Sequence, residues 1–260
     1  MKLPCNDRPA PSRGAAMAAA LAVMAALAPA VSLAAEACTA RSAATVPPIV
    51  ELYTSEGCNS CPPADRWLSR LKSDPGVVAL AFHVDYWDRL GWKDRFGSPA
   101  FTARQAEQQA ANGARFSYTP QVVVDGRDRK DWPGIAVPLG GSRPAASVDL
   151  VLAREGERVT ATVAATALSP KRLAAWWAIT EQGHVTAVKA GENSGATLQH
   201  DYVVRDYRTV PAWSPRAGAT QSLVYQLPAR TEAAERPREV NLVVVDADSG
   251  RPVQALKLAC

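Results

Sequence analysis

Two cysteines separated by two residues are the part of this 260-residue chain best suited to covalent chemistry. Residues 49–53 predict a short buried strand just before Cys58 and Cys61, and Ala64, Trp67 and Leu68 recur after them with the spacing of one helix face. The pair is therefore predicted at a helix N-terminus, where the helix dipole and unpaired N–H groups lower the pKa of a thiol. A thiolate is the nucleophile of thiol–disulfide exchange, so we assign Cys58 and Cys61 as the candidate catalytic residues.

Three interpretations of this pair remain open from the residues alone. The first is redox exchange, the second is an inert structural disulfide, and the third is a copper or zinc site formed by Cys58, Cys61 and His83. A structural zinc site needs four ligands, and the sequence has no second pair of this spacing. A lone histidine such as His83 in an apolar run is also typical of a protein core.

The chain begins like an exported protein. Basic residues precede an apolar run at 15–31, and Ser32-Leu33-Ala34 offers a small-residue cleavage site, so residues 1–34 predict a secretory signal peptide. The mature protein is then expected to be periplasmic or secreted, with no stable membrane span after cleavage. Four cysteines remain, and we expect the outer two, Cys38 and Cys260, to form a structural disulfide that joins the chain ends.

The charge balance argues against two classes of partner. The full chain has a net charge of +4, which falls to +2 without residues 1–34. This near-balance gives no electrostatic case for binding nucleic acid or an anionic membrane surface. The sequence also contains no phosphate-binding loop and no Gly-x-Ser-x-Gly motif, and we predict no cofactor.

The first part of the mature chain alternates strands and helices. Residues 49–84 predict a strand, a helix and a second parallel strand, and 102–114 predict another helix before a strand at 121–124. The segment between them, 85–101, is rich in aromatic and charged residues. Trp87 and its neighbours either line a substrate groove or cover the edge of the sheet.

The second part of the chain has a different residue pattern. Seven short runs with strand composition, separated by Gly, Pro and Asn turns, predict a β-rich, sandwich-like second domain. These runs lie at 148–153, 158–167, 173–180, 184–189, 202–205, 223–227 and 240–246. The predicted organisation is a signal peptide at 1–34, a first domain at 35–140 and a β-rich domain at 141–260. We interpret residues 193–195 as a turn and His200 as a polar residue at a strand end.

The order of strand, Cys-x-x-Cys, strand, helix and then Thr119-Pro120 before a further strand resembles the thioredoxin-like superfamily. That resemblance implies an α/β fold, with Cys58 as the attacking cysteine and Cys61 as the resolving cysteine. It also implies that Pro120 is a cis-proline on the substrate side of the pair. Thr119, Gln121 and Trp87 are the accompanying candidates for substrate binding.

Four longer segments resemble a more specific family. SEGCNSCPPAD, FHVDYWDRLGWKD, YTPQVVVDG and GENSGATLQHDYVVR are similar to exported bacterial proteins of unknown function with a thioredoxin-like domain. The resemblance covers residues 47 to about 250 and implies a compartment and a fold, but no reaction. Our expectation is a thiol–disulfide oxidoreductase acting on thiols and disulfides of envelope proteins. Metal binding and a non-catalytic binding module are the alternatives.

Overall fold

The computed structural model describes residues 38–137, 139–216, 218–229 and 236–260. The predicted signal peptide at 1–34 lies outside these residues. Within them the chain forms fourteen strands and two α-helices. The helices are α1 (Pro62–Ser69) and α2 (Pro99–Ala111). The strands are β1 (Cys38–Arg41), β2 (Ile49–Thr54), β3 (Val78–His83), β4 (Gln121–Val124), β5 (Arg127–Asp128), β6 (Val148–Glu155), β7 (Arg158–Ala165), β8 (Leu173–Glu181), β9 (His184–Ala187), β10 (Thr197–His200), β11 (Val203–Trp213), β12 (Thr220–Gln226), β13 (Arg238–Asp246) and β14 (Pro252–Leu258).

An eight-stranded sheet forms the centre of the molecule, in the order β14-β13-β8-β11-β3-β2-β4-β5. β2 and β3 are parallel, as predicted for the unit at 49–84, and Thr54 lies beside His83 in their register. β11 runs parallel to β3 on one side and antiparallel to β8 on the other. Strands from both sides of residue 140 therefore share one sheet. How far the two predicted domains fold independently stays a prediction.

The predicted fold class, an α/β thioredoxin-like domain followed by a separate β-rich domain, is wrong. The described residues are mostly strand, with large multi-stranded sheets and only the two α-helices. The physical reason is the position of β11. It pairs with β3, so β8, β13 and β14 extend the sheet that local patterns had assigned to the first segment alone. Strand periodicity predicts strands but does not specify such distant partners.

A second, four-stranded sheet covers one face of the central sheet. It is antiparallel in the order β1-β6-β7-β12, and it packs Leu150, Leu152 and Val159 against Trp177 and Leu242. Alternating side chains of each strand point to one face, which is why these apolar residues recur at every second position. β9 and β10 form a separate two-stranded antiparallel ribbon.

The two helices cover the other parts of the central sheet. The apolar face of α1 buries Ala64, Trp67 and Leu68 against Val50 and Leu52 of β2. α2 begins after Ser98, whose hydroxyl accepts a hydrogen bond from the Ala100 N–H, and it covers the opposite face. This arrangement fixes the loop between β2 and α1 at the carboxyl end of a central parallel strand, where ligand sites of open sheets commonly lie.

A disulfide joins Cys38 of β1 to Cys260, just beyond β14. Their Cα atoms are 6.3 Å apart across a sequence separation of 222 residues. The Arg154 side chain, from the strand paired with β1, donates to the Cys260 carbonyl at 2.7 Å. The two ends of the described chain are thus held together, and the disulfide links the four-stranded sheet to the end of the eight-stranded one. Within the described residues, no helix is both long and apolar enough to cross a membrane.

Candidate functional site

Cys58 and Cys61 form a disulfide directly before α1, with their Cα atoms 5.4 Å apart. The tight turn is closed by the Cys61 N–H, which donates to the Cys58 carbonyl at 3.2 Å. Both cysteines are fully buried, whereas Asn59 and Ser60 between them are exposed. The disulfide therefore lies just below the surface, under a two-residue exposed tip.

Hydroxyl groups surround the sulfur of Cys58. The Thr119 hydroxyl donates to Cys58 Sγ at 3.3 Å, and the Ser60 hydroxyl lies 3.3 Å from the same atom. Trp87 Nε1 donates to the Thr119 oxygen at 2.8 Å, which directs the Thr119 proton toward the sulfur. The Thr119–Pro120 peptide bond is cis. Hydrogen bonds of this kind stabilise a thiolate more than a thiol and lower its pKa.

The helix itself offers fewer donors than the sequence argument assumed. Pro62 and Pro63 fill the first positions of α1 and carry no N–H. The N–H groups of Ala64 and Asp65 are already bonded to the Cys61 carbonyl, at 2.8 and 3.2 Å. The helix dipole remains, but the hydrogen bonds that this site provides to sulfur come from side-chain hydroxyls.

A loop from the second part of the chain clamps the cysteine turn. The Asn193 amide donates to the carbonyls of both Glu56 and Cys58, each at 2.9 Å. Glu192 accepts from the exposed Asn59 N–H at 3.0 Å. Gly191 has a φ of +72°, and a Cβ there would lie 3.2 Å from the Trp92 Cβ, so this position favours glycine. The turn predicted at 193–195 is thus part of the site.

The predicted substrate-binding residues separate into two groups. Thr119 and Trp87 contact each other beside Cys58, and Pro120 follows Thr119. Gln121 is buried, and its side chain accepts from Gln105 at 3.2 Å. Gln121 therefore links β4 to α2, and its role in substrate binding stays a prediction.

All three histidines of the sequence lie in the protein interior on the α1 side of β3, packed around Phe96. We call five buried residues of this region the histidine–carboxylate cluster: Glu56, Asp65, His83, Asp94 and His200. Asp65 follows Cys61 by one helical turn, and Glu56 precedes Cys58 by two residues. Two members of the cluster therefore flank the cysteine turn directly along the chain.

Short contacts link the members of the cluster. His83 Nδ1 lies 2.7 Å from Asp94 Oδ2, and His200 Nδ1 lies 3.3 Å from Asp65 Oδ1. His200 Nε2 lies 3.5 Å from Glu56 Oε1, which is an ion-pair contact longer than a good hydrogen bond. The second oxygen of each of these two carboxyl groups accepts a hydrogen bond. The Thr54 hydroxyl donates to Asp65 Oδ2 at 2.9 Å, and Trp92 Nε1 donates to Glu56 Oε2 at 2.8 Å.

Burial and these contacts shift the pKa values in opposite directions. For Asp94, burial raises the pKa, but His83 and the N–H groups of Glu56 and Phe96 outweigh it and bring the pKa to about 2. For His200, burial lowers the pKa, but the contacts with Asp65 and Glu56 raise it to about 10. The pKa of Glu56 is lowered, because the contacts with His200 and two other donors exceed the effect of burial. These three shifts favour the charged forms of Glu56, Asp94 and His200 although all three residues are buried.

The structure places His83 with Asp65 and His200, whose possible ligand atoms all lie within 4.8 Å of one another. Cys58 and Cys61 are joined in a disulfide, so the predicted metal site of Cys58, Cys61 and His83 stays a prediction for the reduced protein. Sequence reasoning missed Glu56 and Asp65, placed Asp94 only among the candidate groove residues of 85–101, and assigned His200 to a strand end. The sequence did carry one signal for this cluster, because the chain has only three histidines. His200 stands directly before Asp201, and His83 ends the strand that leads to the aromatic segment 85–101.

Comparison with known proteins gives a family without an assigned reaction. A comparison with functionally curated proteins found no match. The structure resembles the crystal structure of an Agrobacterium tumefaciens protein determined as a structural-genomics target, with 29% identity and a TM-score of 0.62 over 82% of this chain and 94% of that one. It also resembles HBP35 of Porphyromonas gingivalis, with 13% identity and a TM-score of 0.60 over 83% and 76% of the two chains, a likeness of fold alone. The model of a family described as protein of unknown function matches residues 49–246, and the chain therefore belongs to this family, DUF1223.

Proposed function

We propose that this protein is a thiol–disulfide oxidoreductase that acts on thiols and disulfides of other exported proteins through Cys58 and Cys61. The observation that carries the proposal is the hydrogen bond from the Thr119 hydroxyl to Cys58 Sγ, at a disulfide that precedes a helix. A donor aimed at one sulfur of the pair favours Cys58 as the attacking cysteine, because such a hydrogen bond stabilises a thiolate. Two disulfides in one chain fit a periplasmic or secreted location.

The exchange proceeds in two balanced steps. In the reduced protein, the Cys58 thiolate attacks one sulfur of a substrate disulfide, forms a mixed disulfide and releases the other substrate sulfur as a thiolate. The Cys61 thiolate then attacks Cys58 Sγ, closes the Cys58–Cys61 disulfide and releases the second substrate thiolate. A substrate dithiol and the oxidised protein run the same steps backwards, with Cys61 as the first leaving group.

Full burial of both cysteines means that a substrate sulfur needs an opening to reach Cys58. The clamp formed by Asn193 and Glu192 covers the turn through three hydrogen bonds of 2.9 to 3.0 Å. We assign this clamp as the element that moves. The same burial favours the competing function, a structural disulfide within a binding module, and a redox titration separates the two.

The titration follows Cys58 and Cys61 by alkylation and mass spectrometry in glutathione and dithiothreitol buffers. A potential between about −270 and −120 mV, the span of known exchange proteins, supports the oxidoreductase. A potential below about −300 mV with slow reduction makes the disulfide structural and refutes the proposal. The Cys38–Cys260 disulfide in the same samples is the internal reference for a structural bond.

Cysteine variants test the roles of the two sulfurs. Cys61→Ser is expected to trap mixed disulfides with exported proteins, because Cys58 remains reactive and the resolving thiol is missing. Cys58→Ser is the matched control and is expected to trap none. Equal trapping by both variants would refute the assignment of Cys58 as the attacking cysteine.

Thr119 variants test the donor itself. In the reduced protein, Thr119→Val is expected to raise the Cys58 pKa by about 1 to 2 units, because a hydrogen bond to a charged group contributes about 1.5–3 kcal/mol. Absorbance of the thiolate at 240 nm against pH measures it. Thr119→Ser keeps the hydroxyl and is expected to titrate like the wild type. An unchanged pKa in the valine variant would show that Thr119 does not stabilise the thiolate.

A further inference from the structure

We propose that Asp65, His83 and His200 form a binding site for a divalent transition-metal ion of the zinc type, behind the cysteine turn and separate from its sulfurs. Two imidazole nitrogens and one carboxylate oxygen are a donor set that zinc and related ions accept. The three residues come from α1, β3 and β10, and their possible ligand atoms lie within 4.8 Å of one another. This site is independent of the thiol chemistry proposed above.

The histidine nitrogens are arranged for a ligand that the protein itself does not supply. His83 is fully buried, its Nδ1 contacts Asp94, and its Nε2 has no hydrogen-bond partner in the part of the chain that the structure describes. An unsatisfied buried nitrogen is costly, because it has lost its hydration without gaining a partner. A metal ion bound to Nε2 would satisfy this nitrogen.

The distance between the other two donors already fits. His200 Nδ1 and Asp65 Oδ1 are 3.3 Å apart. Two ligands of a tetrahedral zinc ion, with bonds of about 2.0–2.2 Å, lie about 3.3–3.5 Å from each other. A hydrogen bond joins these two atoms in this structure; zinc would take the place of its proton, which would be released to solvent.

Each proposed ligand also has an outer partner that fixes its orientation. Asp94 holds His83 through Nδ1, Thr54 holds the second oxygen of Asp65, and Glu56 faces His200 Nε2 at 3.5 Å. A carboxylate on the far nitrogen of a ligating histidine is the usual outer shell of protein metal sites. The buried carboxyl groups of Glu56, Asp65 and Asp94 would be balanced by the charge of the cation.

A route from solvent reaches two of the three ligands. Asp65 and His200 line a surface pocket of about 260 Å³ between the start of α1 and β10, with Pro62 and Leu198 at its walls. His83 lies deeper, in contact with the His200 ring at a centroid distance of 4.9 Å. Three protein ligands leave one tetrahedral position on the ion for water or a small molecule.

The experiment uses the mature protein with both disulfides intact, so that cysteine sulfur is not available as a ligand. Zinc binding is measured by equilibrium dialysis with elemental analysis, and the ligands are identified by X-ray absorption of the zinc-loaded wild type. We expect one equivalent of zinc with nitrogen and oxygen neighbours that include imidazole. Failure to bind zinc or cobalt, or a sulfur neighbour, would overturn the proposal whatever the redox titration shows.

Variants assign the ligands. His83→Gln, His200→Gln and Asp65→Asn are each expected to weaken zinc binding by at least about 100-fold, beyond the 10–100-fold typical of outer-shell changes. His184→Gln is the matched control, since His184 is equally buried beside Phe96 but is not among the three ligands, and it is expected to bind like the wild type. Wild-type binding by the His83 and His200 variants would also overturn the proposal. If a variant fails to fold, the absorption spectrum of the wild type decides.

Discussion

Two buried groups of charged residues lie on opposite faces of the central sheet, and they are built differently. Arg104 of α2 donates to both carboxylate oxygens of Glu51, at 2.8 and 2.9 Å. Tyr53 donates to the same carboxylate at 2.7 Å. Arg104 also donates to Tyr207 and lies 4.2 Å from the Trp176 ring. We call Glu51, Tyr53, Arg104 and Tyr207 the arginine cluster. Each oxygen of its carboxylate has a partner.

The histidine–carboxylate cluster on the α1 face is not closed in this way. Among the residues that the structure describes, Glu56 Oε1, His83 Nε2 and His200 Nε2 have no hydrogen bond. Glu56 Oε1 and His200 Nε2 form an ion pair 3.5 Å apart, so His83 Nε2 is the atom of this cluster to which the described residues offer neither a hydrogen bond nor an ion pair. This difference agrees with a structural role for the arginine cluster and with the metal site proposed for the histidine–carboxylate cluster.

The largest expected effect comes from two matched glutamate substitutions. Glu51→Gln removes the charge that balances buried Arg104, and we expect it to lower the free energy of unfolding by about 3–5 kcal/mol. Glu56→Gln is expected to cost less, about 1–3 kcal/mol, because the ion pair that it removes is longer, at 3.5 Å from His200 Nε2, and the amide oxygen still accepts from Trp92. Urea denaturation measures both. Equal costs would show that the two clusters are energetically alike.

Zinc is expected to stabilise the folded protein only by binding to the histidine–carboxylate cluster. At a free zinc concentration of 100 times Kd, the wild type gains about 2.7 kcal/mol of unfolding free energy. Glu51→Gln is expected to keep this gain, although its starting stability is lower. His200→Gln is expected to lose it. Thermal unfolding with and without zinc gives the comparison, and a zinc effect that depends on Glu51 would contradict the separation of the two clusters.

An outer-shell change gives a smaller effect. Glu56→Gln is expected to weaken zinc binding about 10–100-fold, which corresponds to about 1.4–2.8 kcal/mol, because Glu56 faces the far nitrogen of His200. Glu239→Gln, on β13 and outside both clusters, serves as the control for loss of one negative charge. If both variants bind zinc equally, Glu56 plays no part in orienting His200.

The smallest expected change in a measured rate or affinity concerns the clamp that Asn193 and Glu192 form on the cysteine turn. Asn193→Ala removes two hydrogen bonds to the cysteine turn and is expected to cost about 1–3 kcal/mol, at about 0.5–1.5 kcal/mol for each bond. Reduction of the Cys58–Cys61 disulfide by dithiothreitol is expected to become several-fold faster, since about 1.4 kcal/mol corresponds to a factor of ten. Ser194→Ala is the control. An unchanged reduction rate would show that the clamp does not limit access.

Local sequence patterns were sufficient for the elements that depend on neighbours along the chain. The strand–helix–strand unit follows from apolar spacing, and Ala64, Trp67, Leu68 and Leu71 are all buried as the helix period requires. The seven strand-like runs of the second part correspond to β6, β7, β8, β9, β11, β12 and β13. β10 and β14 were missed, because their short or mixed patterns resemble turns and surface segments.

The sequence by itself determined the cysteine spacing, the helix that follows it and the strands that can form. Only the tertiary structure decided that β11 lies beside β3, with Val203 opposite Ala81. That pairing extends one sheet through both parts of the chain, and it sets the ribbon of β9 and β10 next to α1. His200 thereby meets His83, 117 positions earlier in the sequence. The physical reason is that the choice of a distant strand partner depends on how whole faces of the sheet pack, and the local spacing of apolar residues does not predict that packing.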